Sequence, residues 1–132
     1  MAVIDASIAV EFLRTGVATP DLDSRLALEE HTLWAPHLID AEVGHALRRE
    51  VRLGRMEAEA AEEALVKLSD LPLRRIEHEP LVRFAWDLRD NFSFYDALYV
   101  VLALVLEETL LTFDARLARS GLDLPIEVLD QA

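Results

Sequence analysis

The chain has 132 residues, 52% of them apolar and 29% charged, with four glycines, five prolines and no cysteine. That suffices for one domain whose core buries about two-thirds of the unfolded surface, and it excludes a disordered chain, a disulfide scaffold, a thiolate nucleophile and a zinc–thiolate site. A formal charge of −12 also excludes a generally basic nucleic-acid binder, so any contact with phosphates must rest on a local patch.

Val3-Ile4 is a short β-branched run that predicts a buried strand, and Asp5-Ala-Ser7 opens a largely buried helix through about Leu13. Gly16 and Pro20 mark a loop before an acidic amphipathic helix over 21–30. Thr32–Ala35 is the second strand, and Pro36 suits the first turn of a third helix that runs to about Leu53, with Gly54 at its C′ position. A fourth helix over 56–69, with Ala60, Ala64, Leu65 and Leu68 on one side, forms a hairpin with it. Residues 72–77 form a strand. A fifth helix over 79–90 buries Leu81, Phe84, Ala85 and Leu88.

Ser93 is the N-cap of the next helix, Phe94-Tyr-Asp-Ala-Leu-Tyr-Val-Val-Leu-Ala103, in which Asp96 shares a face with Val100 and Ala103. A carboxylate pointing partly inward from an apolar helix needs a partner. Leu110–Thr112 is a strand, 114–120 a short helix closed by Gly121, and Ile126–Leu129 a last strand. Alternating strands and helices predict an α/β domain with a parallel sheet covered on both faces. In such folds ligands sit beyond the carboxyl ends of the strands, where both Asp5 and Asp114 fall.

Singly, Asp5 and Asp114 read as helix N-caps and Asp96 as an early-turn acid favoured by the helix dipole. Together they form a set of hard oxygen donors suited to Mg²⁺ or Mn²⁺, the ions that activate water for phosphodiester hydrolysis. Glu42 and Asp40 compete for a fourth place, on opposite rims of the third helix, and periodicity does not choose between them. The four histidines, at 31, 37, 45 and 78, lack metal-ligand spacing. The aromatic residues Phe92, Phe94, Tyr95 and Tyr99 are expected to pack into the core rather than stack on bases. Arg48-Arg49, Arg52 and Arg55 are either a solvated helix face or a patch for phosphates or an acidic partner. No apolar run reaches the roughly 18 residues of a membrane span, and the chain starts without a basic region or signal core, so a cytoplasmic location is expected.

Val3-Ile-Asp-Ala-Ser7, Ala35-Pro-His-Leu-Ile-Asp-Ala-Glu-Val-Gly-His-Ala-Leu47, Tyr95-Asp-Ala-Leu-Tyr99 and Leu111-Thr-Phe-Asp-Ala-Arg-Leu117 stand in an order and at gaps that resemble PIN-domain ribonucleases, more closely the VapC toxins of toxin-antitoxin pairs. The resemblance covers essentially the whole chain. It implies an α/β fold, one PIN-like domain over 1–132, with a mainly parallel sheet of four to five short strands flanked by about seven helices. It implies a Mg²⁺- or Mn²⁺-dependent endoribonuclease in which Asp5, Asp96 and Asp114 hold the metal and Glu42 completes the shell or positions the attacking water. Ser7 and Thr112 would help orient that shell. The implied partners are an RNA substrate, a second copy of the chain in a homodimer and a VapB-type antitoxin that silences the enzyme. Two other readings compete. A receiver-like signalling domain with an acidic Mg²⁺ pocket is opposed by the lone Asp5 and by the placement of the only lysine, Lys67, in mid-helix. A catalytically silent PIN-like binding module is opposed by the inward face of Asp96.

Overall fold

The structure, a computed structural model, describes residues 1–15 and 32–131. Five strands, β1 (Ala2–Ile4), β2 (Leu33–Pro36), β3 (Leu73–Ile76), β4 (Leu110–Thr112) and β5 (Ile126–Val128), pair in the order β3-β2-β1-β4-β5. All four pairings are parallel, with Val3 opposite Trp34 on one side and Leu110 on the other. Every residue of β1 is buried, as a central strand covered on both faces requires.

Between the strands run α1 (Ala6–Thr15), α2 (Leu38–Arg52), α3 (Ala58–Leu68), α4 (Glu79–Asp87) and α5 (Phe94–Leu106), with a 3₁₀ helix at Ala115–Arg119. Of about seven expected helices, five are thus α-helices, the one near residue 115 is a 3₁₀ turn, and the acidic helix at 21–30 lies outside the described residues. Helices α1, α2 and α3 pack on one another, and α4 packs on α5. The chain steps from β1 outward to β2 and β3, then returns across the sheet to β4 and β5. Right-handed crossovers therefore put the first three helices on one face and the last two on the other.

Helix α5 is the core element. It is buried on all sides from Ala97 through Ala103, which its nearly unbroken apolar sequence dictates. The Ser93 Oγ accepts the Asp96 N–H at 3.1 Å, as expected of an N-cap. Gly54, with φ +72°, closes α2 at C′, and its N–H bonds the Val51 carbonyl.

Three details depart from the sequence reading. Pro36 ends β2 instead of opening α2: it pairs with Ile76 of β3 beyond the reach of β1, where its missing N–H costs nothing. On α3 the buried stripe is Ala61, Ala64 and Leu68, while Ala60 and Leu65 face outward. On α4 Leu81 and Ala85 are buried, but Phe84 is 56% exposed, because the helix turns that edge away from α5.

Candidate active site

Strand order reverses between β1 and β4, and the crevice beyond their carboxyl ends holds Asp5 and Asp114. Asp5 is 9% exposed and accepts three hydrogen bonds. Its Oδ1 takes the Ser7 hydroxyl at 2.6 Å and the Ile8 N–H at 3.3 Å, and its Oδ2 takes the Thr112 hydroxyl at 2.5 Å. Ser7 Oγ in turn accepts the Phe113 N–H at 3.1 Å, and Thr112 Oγ1 accepts the Asp114 N–H at 2.9 Å. Each hydroxyl has one proton, and each amide N–H requires an acceptor, so both hydroxyl protons are committed to Asp5. The two strand ends are thereby tied together around an oriented carboxylate. Burial raises Asp5 above the usual carboxylate range, against the pull of these donors.

Asp96 is half-buried in the first turn of α5, and Glu42 is half-buried on α2. Both are raised, chiefly by burial; Asp114 raises Asp96 further, and Asp96 and Asp5 raise Glu42. The carboxylates of Asp5, Glu42 and Asp96 therefore share one field, with Asp114 at its edge. Asp114 differs from them. Its carboxylate caps the 3₁₀ helix through the Arg116 N–H at 2.9 Å and meets the Arg116 guanidinium at 2.7 Å, which holds it below the usual range. The N-cap readings of Asp5 and Asp114 are thus both met.

Asp40 does not join them. It is exposed and takes the Arg75 guanidinium of β3 in a bidentate pair at 2.8 Å, so Glu42 is the α2 acid that faces the crevice. His78 Nε2 accepts the Leu38 N–H at 2.8 Å, anchoring the first turn of α2 and with it the position of Glu42. His31 lies outside the described residues, and His37 and His45 are exposed. Phe92 and Tyr99 are buried as expected; Phe94 and Tyr95 are 37% and 61% exposed, because the start of α5 projects beyond the sheet. Tyr99 was not singled out for the site, yet its hydroxyl stands beside Glu42 and feels Asp5 and Asp96. Its spacing of three from Asp96 is the signal that places both on one side of α5.

All the oxygen donors here are hard; Asp5 is raised by burial, and Glu42 and Asp96 by burial and by neighbouring carboxylates, a penalty that a divalent cation relieves. Among the described residues no three acidic or histidine side chains stand close enough to ligate one ion directly. Mg²⁺ keeps several waters and takes only one or two carboxylates, so the donor set fits it. From the acids a groove runs between α1 and α2, lined by Arg14, Arg49, Arg55, Arg116, Glu50 and Tyr95 among others.

The family profile described as PIN domain matches residues 2–121. The chain belongs to the PIN-domain family. This PIN domain is 46% identical over 127 residues to "Ribonuclease VapC1" of Mycobacterium tuberculosis, covering 96% of this chain and 94% of that one. Among solved structures it resembles PAE2754 from Pyrobaculum aerophilum, with a TM-score of 0.69, 28% identity, and 90% of this chain and 78% of that one covered. It shares the fold of a Rickettsia felis structure described as VapBC2 bound to a DNA fragment from their promoter, at TM-score 0.68, 15% identity and 98% coverage of both chains. Membership of the PIN family removes the receiver-domain alternative.

Proposed function

We propose that this PIN domain is a Mg²⁺- or Mn²⁺-dependent endoribonuclease, the toxin of a type II toxin-antitoxin pair. The observation that carries the reading is the shared field of Asp5, Glu42 and Asp96 at the switch point of a PIN fold, with Asp114 beside Asp96. Asp5, Asp96 and Asp114 would hold the metal, one or two of them directly and the rest through its waters, and Glu42 would complete its shell or position the water. The ion supplies a bound water of lowered pKa and offsets charge on the phosphoryl oxygens.

The remaining work falls to the chain. Ser7 and Thr112 fix the direction of the Asp5 lone pairs with neutral donors, which orient the carboxylate without cancelling its charge. Glu42, raised by burial, is a stronger base than an exposed carboxylate and would take a proton from the attacking water. The water oxygen bonds to phosphorus, the bond from phosphorus to the leaving ribose oxygen breaks, and that oxygen takes a proton from solvent. Arg14 and Arg49 line the groove that leads to these acids, beside Arg55, which pairs with Glu50 at 3.7 Å, and offer local cations for RNA phosphates on an acidic protein.

The relatives' names support the rest. A protein named VapC1 at 46% identity and a neighbour described as VapBC2 support a VapB-type antitoxin partner, which would bring a cation to the acids. A homodimer and a cytoplasmic location complete the reading; no helix among the described residues is long and apolar enough to cross a membrane. The test is cleavage of a broad RNA pool with Mn²⁺ by wild type and by Asp96→Asn. Cleavage by wild type and its loss in the variant, with the fold intact, is expected. Equal cleavage by both overturns the site, and no cleavage by either favours the silent binding module.

A further inference from the structure

We infer that the Tyr95 ring is the platform on which an RNA base next to the cut stacks, a role that rests on the nuclease reading above and deepens it. Tyr95 lies in the first turn of α5, one residue before Asp96, and is 61% exposed although the helix is buried from Ala97 onward. It lines the same groove as Glu42, Ser7 and Arg116, and Ser7 and Arg116 are the partners of Asp5 and Asp114. The ring therefore stands at the acid end of the groove. An exposed aromatic is by itself ordinary, but this one has bare faces. Each tryptophan carries a guanidinium, Arg89 over Trp86 at 4.9 Å and Arg74 over Trp34 at 5.4 Å. Among the described residues no ring or guanidinium stacks on Tyr95, and its hydroxyl forms no hydrogen bond. Phe84 and Phe94 are exposed as well but do not line the groove.

The charges of the groove indicate what covers the ring. Arg14 stands seven residues beyond Ser7 on α1, and Arg49 seven beyond Glu42 on α2, each about 10 Å farther along its helix. Neither is in an ion pair among the described residues, so both are free to take phosphates of a strand. Arg116 is not, since Asp114 holds it. At the acid end, RNA needs a contact that does not depend on charge. A cation there would compete with the metal for the carboxylates, as Arg116 does at Asp114, whereas a neutral ring does not. Stacking on an aromatic face is worth roughly tenfold in affinity per base and accepts any base. A base reaches the ring only when it has left a duplex, so the same contact confines the cut to unpaired nucleotides. A protein side chain is the rival occupant, and the test separates the two.

The test compares wild type, Tyr95→Ala and Tyr95→Phe, with Mn²⁺, on the oligoribonucleotide that wild type cuts best in a broad pool. The same strand is then used with abasic residues on either side of the cut. Tyr95→Ala should raise KM roughly tenfold while kcat and Tm hold, and Tyr95→Phe, which keeps the ring, should keep the wild-type KM. On the abasic strand the wild-type KM should rise to that of Tyr95→Ala, whose own should not change further. A Tyr95→Ala KM equal to wild type overturns the inference and leaves the nuclease reading standing; if inhibition by a VapB-type partner is lost at the same time, the ring belongs to a protein contact instead. The inference also falls if Tyr95→Phe is as impaired as Tyr95→Ala, if the loss in Tyr95→Ala persists undiminished on the abasic strand, or if kcat falls while KM holds. A wild type that cuts no RNA overturns both.

Discussion

The ends of β1 and β4 carry the same local pattern, a short apolar strand followed by an aspartate that caps the next helix, yet the two aspartates stand in opposite electrostatic states. Asp5 is buried among neutral donors and raised; Asp114 is tied to a guanidinium and lowered. Neutral hydroxyls and amides orient a carboxylate and leave its charge for a cation, whereas an arginine orients it and cancels that charge. The asymmetry makes Asp5 the fixed point of the site and Asp114 its adjustable edge.

The largest effect should come from removing charge at the fixed side. Asp5→Asn presents an amide that cannot accept from both hydroxyls, and cleavage should fall by at least ~10²-fold, the scale for deleting one preorganised charge-stabilising group. If Asp5→Asn cut RNA as fast as wild type, the distinction between the two aspartates would lose its meaning. Thr112→Val is next. It leaves a buried Asp5 oxygen and the Asp114 N–H without a partner, each loss costing about 1–3 kcal/mol in urea unfolding. A stability unchanged from wild type would mean that the tie between the strand ends contributes nothing.

The two ends also differ in sign with pH. Asp5, Glu42 and Asp96 are raised, so the folded metal-free protein keeps protons that the unfolded chain has released. Its stability should fall as pH rises from about 4 through the raised values. Asp114 is lowered, so its contribution is present above 3.8 and is lost as pH falls below that through its folded value. Thermal melts across pH 2 to 8, with and without Mn²⁺, separate the two limbs, and the cation should flatten chiefly the first, since protons displace it from the acids over the second. A first limb unaffected by Mn²⁺ would put the raised acids outside the metal's reach. The smallest effect belongs to Arg116→Gln. It releases Asp114, and Mn²⁺ affinity should rise modestly and in a salt-dependent way, since the pair is exposed. A fall in affinity would instead make Arg116 a support of the site.

Much of this was legible along the chain. The Ser93 cap, the Gly54 stop, the five strands and the inward face of Asp96 all depend on residues within a few positions of one another. The same local rules left Asp40 and Glu42 equivalent, because each lies on a rim of α2 and nothing within that helix distinguishes them. Arg75, on the neighbouring strand β3, decides by taking Asp40. Phe84 fails for the same reason: its helix has two apolar edges, and only packing against α5 selects one.

By itself the sequence determined where strands and helices start, which carboxylates follow strands and which one sits in an apolar helix, because these are matters of short-range sterics, capping and periodicity. Only the tertiary structure decided that β1 lies between β2 and β4, that Glu42 and not Asp40 faces the crevice, and that Asp114 is paired with Arg116 while Asp5 is held by neutral donors. Those outcomes depend on contacts between elements far apart in the chain, whose field and burial exist only once the sheet has closed around the site.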